Sequence, residues 1–268
     1  MLCGFNLNTK GNSSLFNVCK EKSELPFIEN HKKIIRKSLE TYVTSGDFLD
    51  AKRIEDDWFP SIKANVFISH SHKDEKTAIA FAKWLYNNFG ITSFIDSCIW
   101  GCADDLLKMI DDKYCVKERN PDGSIKMYDY TKRNQSTAFV HCLLNIALAK
   151  MIDNTECLFF LHTPNSILNN DYMKNETSSP WIYSEILISS IIRQKTELEN
   201  HIRMFSEHRN NSNLGMLAMH HLDLNHLYTL SIQDLDLWQK SSPFRIPEIS
   251  LAKLYQIKEI HHKPKRTN

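Results

Sequence analysis

The stretch ANVFISHSHKDEKTAIAFAKWLYNNFGITSFI, residues 64–95, decides the fold class of this chain. It opens with a short β-branched and aromatic run, which predicts a strand over 64–69. Residues 75–88 carry apolar side chains at helical spacing, and Gly90 is a suitable stop for that helix. A second strand is predicted over 91–95. The order strand, helix, strand is typical of a parallel sheet covered by helices.

The rest of the chain extends this α/β pattern. The apolar run 156–161 predicts a fully buried third strand, and 214–222 is a candidate fourth strand. The turn signal at residues 120–123 predicts a β-hairpin inserted over 115–134. Further helices are predicted over 104–114, 137–152, 180–195, 232–238 and 247–260. The predicted fold class is therefore α/β, with a flavodoxin-like parallel sheet of about four to five strands and helices on both faces.

The N-terminal part lacks this pattern. Residues 1–25 are polar and show no sustained periodicity, which predicts a poorly ordered lead-in. Two amphipathic helices are predicted over 29–44 and 48–58, and they are too small to hold a core of their own. We therefore expect a lead-in and helical extension over 1–60, packed on an α/β domain over 61–268.

Composition narrows the classes of function. The formal net charge of +1 gives no electrostatic reason to expect nucleic acid or an acidic membrane surface as a partner. Seven scattered cysteines, an odd number, suit a reducing compartment better than a disulfide framework. No signal peptide and no apolar run of membrane-spanning length is recognisable in the sequence. The expected location is the cytoplasm, without membrane or nucleic-acid contact.

The sequence lacks the glycine-rich motifs that bind phosphate groups. The chain has seven glycines, and no Gly-x-Gly-x-x-Gly or Walker-type loop follows a predicted strand. This argues against a Rossmann cofactor site and against a P-loop nucleotidase. The lack of a Gly-x-Ser-x-Gly elbow argues against an α/β-hydrolase.

Polar residues follow the predicted strands. Residues 70–74, 96–103 and 162–179 leave three strand ends, and the carboxyl ends of parallel strands share one edge where α/β sheets bind ligands. His70, Ser71, His72, Asp96 and Trp100 are therefore candidate contacts to a ligand. A second interpretation makes His70 and His72 metal ligands, because they alternate on an extended backbone and Asp74 or Asp96 could complete the set. In a third, these residues only end a strand, and Asp74 caps the next helix.

The stretch 178–185, SSPWIYSE, predicts a helix start that carries an aromatic ring and a carboxylate. Ser179 is a good N-cap, and Pro180 suits the first helical position. Trp181 and Glu185 are four residues apart, so they lie on one face of the helix. Simple packing of the tryptophan and the helix dipole would also account for these two residues.

Together, these pieces resemble a TIR (Toll/interleukin-1 receptor) domain of the kind found in bacterial proteins. The matching segments follow in order, and the resemblance extends from about Asn65 to at least residue 195. They are Val66–Ser71 with Asp74, Gly90–Ile91 leading to Phe94–Asp96, Leu158–Leu161, and Ser179–Trp181 with Glu185 as a Trp-x-x-x-Glu motif. The N-terminal helices and the 115–134 insertion depart from a minimal TIR domain.

The resemblance implies an NAD⁺ glycohydrolase or cyclase in which Glu185 is the catalytic residue. Trp181 would stack on the nicotinamide or ribose, and His70, Ser71 and His72 would contact the ribose and phosphates, with Asp96 and Trp100 as further contacts. NAD⁺ would be the substrate, with no cofactor and no metal. Nicotinamide would be released, and the other product would be ADP-ribose or a cyclic ADP-ribose signal.

The resemblance also implies partners. The chain would associate with itself through the segment 97–103, act in bacterial immune (anti-phage) signalling, and signal to a downstream effector protein that senses the product. Two alternatives remain at this point. One is a non-catalytic TIR adaptor that works by domain–domain association, and the other is a metal-dependent hydrolase built on His70, His72 and Asp96.

Overall fold

The computed structural model describes residues 3–8, 39–44, 49–99, 103–167, 175–195 and 220–260. They divide into two compact units. The first unit comprises residues 1–21, 64–93 and 152–268, and the second comprises residues 22–63 and 94–151. The first unit contains nearly all of the parallel sheet and most of the candidate site residues.

The elements alternate between strands and helices along most of the chain. In chain order the strands are β1 (Cys3–Asn8), β2 (Val66–Ser69), β3 (Ser93–Phe94), β4 (Val116–Arg119), β5 (Ile125–Tyr128), β6 (Cys157–His162), β7 (Glu176–Thr177), β8 (His220–His221) and β9 (Leu227–Leu230). The helices are α1 (Ala51–Trp58), α2 (Glu75–Phe89), α3 (Asp96–Ile99), α4 (Ala103–Tyr114), α5 (Tyr130–Asn154), α6 (Pro180–Lys195), α7 (Ile232–Ser241) and α8 (Pro247–Ile257).

Five of these strands form a parallel sheet in the order β3-β2-β6-β1-β9. The predicted α/β class with a flavodoxin-like parallel sheet is confirmed. The predicted strands at 64–69, 91–95 and 156–161 correspond to β2, β3 and β6. β2 and β6 are neighbours in register, with Ser69 beside Phe160.

The prediction of a lead-in over residues 1–25 is wrong for β1. This strand lies inside the sheet between β6 and β9, and its first pair joins Cys3 to Cys157. Glycine and asparagine are rare in strands, so CGFNLN gives a weak strand signal. A Cβ at Gly4 would lie 2.4 Å from Leu227 Cδ2, so a larger residue there would require the Leu227 side chain to shift. Apart from this correction, the predicted division of the chain near residue 61 stays a prediction.

Aromatic side chains fill one face of the sheet. The ring of Phe159 lies 5.2 Å from that of Phe5 and 5.3 Å from that of Phe81 on α2. Trp238 of α7 stacks on Phe89 at 4.0 Å and reaches Phe159 at 6.4 Å. This face is thus the main apolar core of the first unit, and α6 covers the opposite face.

The helix ends follow the predicted cap residues. Gly90 takes a left-handed conformation (φ 71°) and its N–H donates to the Tyr86 carbonyl, which ends α2. The Ser179 hydroxyl accepts from the Ile182 N–H at 3.3 Å, which starts α6 as predicted. The predicted helices 232–238 and 247–260 correspond to α7 and α8.

Two other predictions change. Residues 214–219 of the predicted fourth strand lie outside the described residues, and His220–His221 pair antiparallel with β7 instead of joining the parallel sheet. The next strand of the parallel sheet is β9. Of the predicted helix 29–44, only residues 39–44 are described, and Leu39–Tyr42 form a 3-10 turn.

The second unit contains the predicted hairpin. β4 and β5 pair antiparallel, and α5 already begins at Tyr130, so the insertion ends before residue 134. The buried carboxylate of Asp111 on α4 binds Arg133 Nε at 2.8 Å and Ser136 Oγ at 2.5 Å, both on α5. These bonds tie the two helices that flank the hairpin.

α5 is long and apolar enough to cross a membrane by length and composition alone. In its most apolar 18 residues, 44% are buried in the structure. Core helices meet the same criterion, so the expected lack of membrane contact stays a prediction.

Candidate functional site

A buried hydrogen bond joins the end of β2 to α6. The Ser69 hydroxyl donates to Glu185 Oε2 at 2.5 Å. Glu185 is 1% exposed and Ser69 is fully buried. Glu185 lies on the inner face of α6, at helical spacing from Ile182, Ile186 and Ser189, which are also buried. A carboxylate therefore occupies a position where the helix pattern calls for an apolar side chain.

The position of this pair in the sheet is the one where α/β folds bind ligands. From β2 the chain proceeds to β3 at the sheet edge, whereas β6 lies on the other side of β2. The gap between the carboxyl ends of β2 and β6 is thus the topological switch point of the sheet. Ser69 is the last residue of β2, and Glu185 approaches it from the face that α6 covers.

The burial of Glu185 restricts how a ligand could meet it. At 1% exposure, the carboxylate contacts a ligand only after the groups that cover it are displaced. Trp181, one turn earlier on α6, is half-buried. Trp181 and Glu185 thus lie on one helix, but Trp181 is more accessible to solvent than Glu185.

His70, Ser71 and His72 do not lie along one extended segment. His70 is buried, with Nδ1 3.4 Å from the Ile68 carbonyl, whereas His72 is exposed and opens a 3-10 turn that ends at Asp74. Ser71 itself is still extended and the turn begins only at His72, so the two histidines differ in exposure, and their alternation on one side stays a prediction. Within the described ranges, no three His, Cys, Asp or Glu side chains come together as a metal site.

Asp74 precedes α2 as predicted, but its side chain does not cap the helix. Its Oδ2 accepts from Thr163 Oγ1 at 2.5 Å, and its Oδ1 accepts from Asn165 Nδ2 at 2.8 Å. We call these three residues the Asp74 clamp. The clamp joins the loop after β2 to the loop after β6, across the switch point.

Asp96 and Trp100 are the two remaining candidate ligand contacts. Asp96 belongs to the second unit and is the first residue of the short helix α3. Trp100 lies outside the described residues. Residues 97–99 of the predicted self-association segment 97–103 are helical, and self-association through this segment stays a prediction.

Two residues of this edge were missed in the sequence. The sequence pattern places Ser69 within a strand and His162 at the start of a loop, although His162 ends β6. The available signal is a polar residue that directly follows a buried apolar run, the same signal that selects His70 and Asp96. Burial lowers the pKa of His162 below the ordinary histidine value, so its half-buried imidazole is neutral at pH 7.

Comparison of the chain with protein-family models, with curated proteins and with solved structures gives no match. The TIR interpretation therefore rests on the matching residues of the chain itself.

Proposed function

We propose that this chain is a TIR-like NAD⁺ glycohydrolase or cyclase in which Glu185 stabilises the transition state. The observation that carries the proposal is the hydrogen bond from Ser69 to the Glu185 carboxylate at the switch point of a parallel sheet. The position of Glu185 relative to Trp181 on α6 matches the Trp-x-x-x-Glu motif on which the resemblance depends.

The chemistry suits a single carboxylate. Cleavage of the bond between nicotinamide and ribose makes an oxocarbenium-like centre at the anomeric carbon. A fixed negative charge near that carbon stabilises it, and the effect is larger in a buried site than in water. Nicotinamide is already a cationic leaving group in NAD⁺, so a strong general acid is not needed. Ser69 would hold the Glu185 carboxylate in one orientation.

The other candidate residues would take supporting roles. Trp181 is half-buried and would stack on the nicotinamide or ribose, and Ser71 or His72 would contact the phosphates at the end of β2. NAD⁺ would be a substrate rather than a cofactor. Because Glu185 is 1% exposed, turnover would require an opening of the site, which self-association of neighbouring chains could favour.

The first test measures nicotinamide release from NAD⁺ by the purified full chain, by chromatography, over a range of protein concentrations. We expect release that Glu185→Gln lowers by about 10²-fold or more and that EDTA leaves unchanged. Glu248→Gln, an exposed glutamate of α8, is the matched control and should keep full activity. Activity that EDTA abolishes and a metal restores would contradict the proposal.

A non-catalytic adaptor is the second candidate. The outer side of α6 exposes Leu187 and Ile191, at 44% and 42%, and these two residues are one turn apart. An apolar outer strip of this kind favours association between domains. A chain that self-associates but releases no nicotinamide at any concentration would support this candidate over the enzyme. In the enzymatic case, a bacterial anti-phage role and an effector protein that senses the product are further parts of the proposal.

A further inference from the structure

The proposed function leaves open which group activates the water that attacks the ribose. Hydrolysis needs a water molecule at the anomeric carbon and a group that removes its proton as the new bond forms. In the proposed function, Glu185 stabilises the positive charge on the ribose and accepts the hydrogen bond from Ser69. A second, neutral base on the same side of the sheet is therefore the missing part of the proposed site.

His162 lies on the sheet face that α6 covers. Ser69 and Phe160 are register partners on β2 and β6, so their side chains point to the same face. His162 follows Phe160 by two residues on the same strand and therefore shares that face. The imidazole and the Phe160 ring lie 6.2 Å apart, which agrees with neighbours along one face.

The distance between His162 and the Ser69–Glu185 pair follows from strand geometry. With strands about 4.8 Å apart and a rise of about 3.3 Å per residue, the Cα atoms of Ser69 and His162 are about 8 Å apart. His162 is two residues nearer than Ser69 to the carboxyl edge of the sheet, where a ligand would enter. It is half-buried, whereas Glu185 is fully buried, so the imidazole is the more accessible of the two side chains.

The backbone after His162 is held in place. The next residue, Thr163, donates to Asp74, and its N–H donates to Ser166 Oγ at 2.9 Å. Ser166 also donates to the carbonyl of Leu161, the residue before His162. These bonds fix the exit of β6 on both sides of His162, which is the support that a positioned catalytic group requires.

We propose that His162 is the general base that activates the water in the hydrolytic reaction. The water oxygen bonds to the ribose anomeric carbon while one of its protons passes to His162. The bond to the nicotinamide nitrogen breaks, and its electron pair leaves with nicotinamide. ADP-ribose and nicotinamide form, and the imidazolium then returns the proton to solvent. Nδ1 is buried, so we assign the proton transfer to Nε2.

This inference rests on the proposed function, and the test separates the two. Nicotinamide and ADP-ribose are measured for the wild-type full chain, for Glu185→Gln, for His162→Ala and for His162→Gln, each with and without sodium azide. We expect the His162 variants to lose about 10²- to 10⁴-fold in turnover. Azide is an anionic nucleophile that needs no base, so it should restore nicotinamide release in His162→Ala and give an azido-ADP-ribose adduct by mass spectrometry. It should not restore Glu185→Gln.

Controls keep each outcome decisive. His221→Ala changes an exposed histidine of β8 and should keep wild-type turnover. Circular dichroism and the urea midpoint show whether His162→Gln stays folded if His162→Ala does not. Wild-type turnover in a folded His162 variant would overturn the role of His162 and leave the proposed function intact. Loss that azide does not restore in a folded variant would also overturn the base role. No nicotinamide release by the wild type would overturn the proposed function, and this inference with it.

Discussion

Two carboxylates of the first unit are buried near the carboxyl edge of the sheet, in different surroundings. Asp74 is 9% exposed and accepts hydrogen bonds from Thr163 and Asn165, both in the loop after β6. Glu185 is 1% exposed and lies on a helix face where Ile182 and Ile186 are also buried. Asp74 thus links two loops, whereas Glu185 replaces an apolar side chain in a helix stripe.

The difference separates a structural carboxylate from a candidate functional one. Each oxygen of Asp74 has a side-chain donor, so removing Asp74 takes an acceptor from the buried Thr163 hydroxyl and breaks a second bond to the exposed Asn165. A carboxylate on an apolar helix face is costly to bury, and an apolar residue of similar size is often as stable or more stable there. A residue that costs stability and is nevertheless present is a candidate for function.

The largest effect on stability is expected at the Asp74 clamp. Asp74→Ala should lower the free energy of unfolding by about 3 kcal/mol, because two charge-assisted hydrogen bonds are lost. Asp74→Asn keeps one acceptor oxygen and should lose less. Urea unfolding followed by circular dichroism measures both values. A loss below about 1 kcal/mol for Asp74→Ala would mean that the clamp is not structural.

The second effect concerns the bond between Ser69 and Glu185. Ser69→Ala removes the hydroxyl donor and should lower the free energy of unfolding by about 2 kcal/mol, since a buried carboxylate loses a hydrogen bond. The same substitution in a Glu185→Leu background should cost much less. The coupling energy from this double-mutant cycle is therefore expected near 1–2 kcal/mol, an estimate for directly bonded residues. A coupling near zero would show that the pair is not energetically linked.

The helices and buried strands could be predicted because their signals are local. Gly90 and Ser179 ended and started helices as expected, and the apolar run in β6 specified a buried strand. β1 could not be predicted, because its strand character comes from pairing on both sides with β6 and β9 rather than from CGFNLN itself. Tertiary pairing overrides weak strand propensity in such a case.

The candidate site was predicted only in part. Glu185 was named on its spacing from Trp181, but its bond to Ser69 joins residues 116 positions apart, and no local pattern contains that information. The sequence pattern does not show that a 3-10 turn begins at His72, directly after the extended Ser71. The side chain of Asp74 was assigned to a cap, although a loop far along the chain offered better donors.

The third prediction concerns Glu185, where substitution should raise the free energy of unfolding instead of lowering it as at Asp74. Glu185→Leu combined with Ser69→Ala should raise the free energy of unfolding by about 1 kcal/mol, because an apolar side chain then fits the inner face of α6 without desolvation of a charge and without an unpaired buried hydroxyl. Glu185→Gln should change stability by less than about 1 kcal/mol. Thermal and urea unfolding of the two variants measure the change. A loss of more than about 2 kcal/mol in both would place Glu185 with Asp74 as a structural carboxylate.

The smallest effect is expected at Asp234, a partly exposed carboxylate that serves as a reference for a structural role. Asp234 accepts from the Ser231 N–H and hydroxyl in a capping box and binds Lys258 Nζ at 3.2 Å. Burial opposes its ionisation, but the bonds from Ser231 and the Lys258 ammonium outweigh burial and lower the pKa of Asp234 below its ordinary value of 3.8. The ionised carboxylate therefore stabilises the fold at neutral pH.

Because the folded pKa is the lower one, this stabilisation is complete above the ordinary aspartate pKa and is lost as the pH falls through the folded value. Asp234→Asn should cost about 0.5 kcal/mol at pH 7, and the difference from wild type should shrink below about pH 4. Urea unfolding of both proteins at pH 7 and pH 3 measures this change. An equal difference at the two pH values would show that the charge of Asp234 does not contribute.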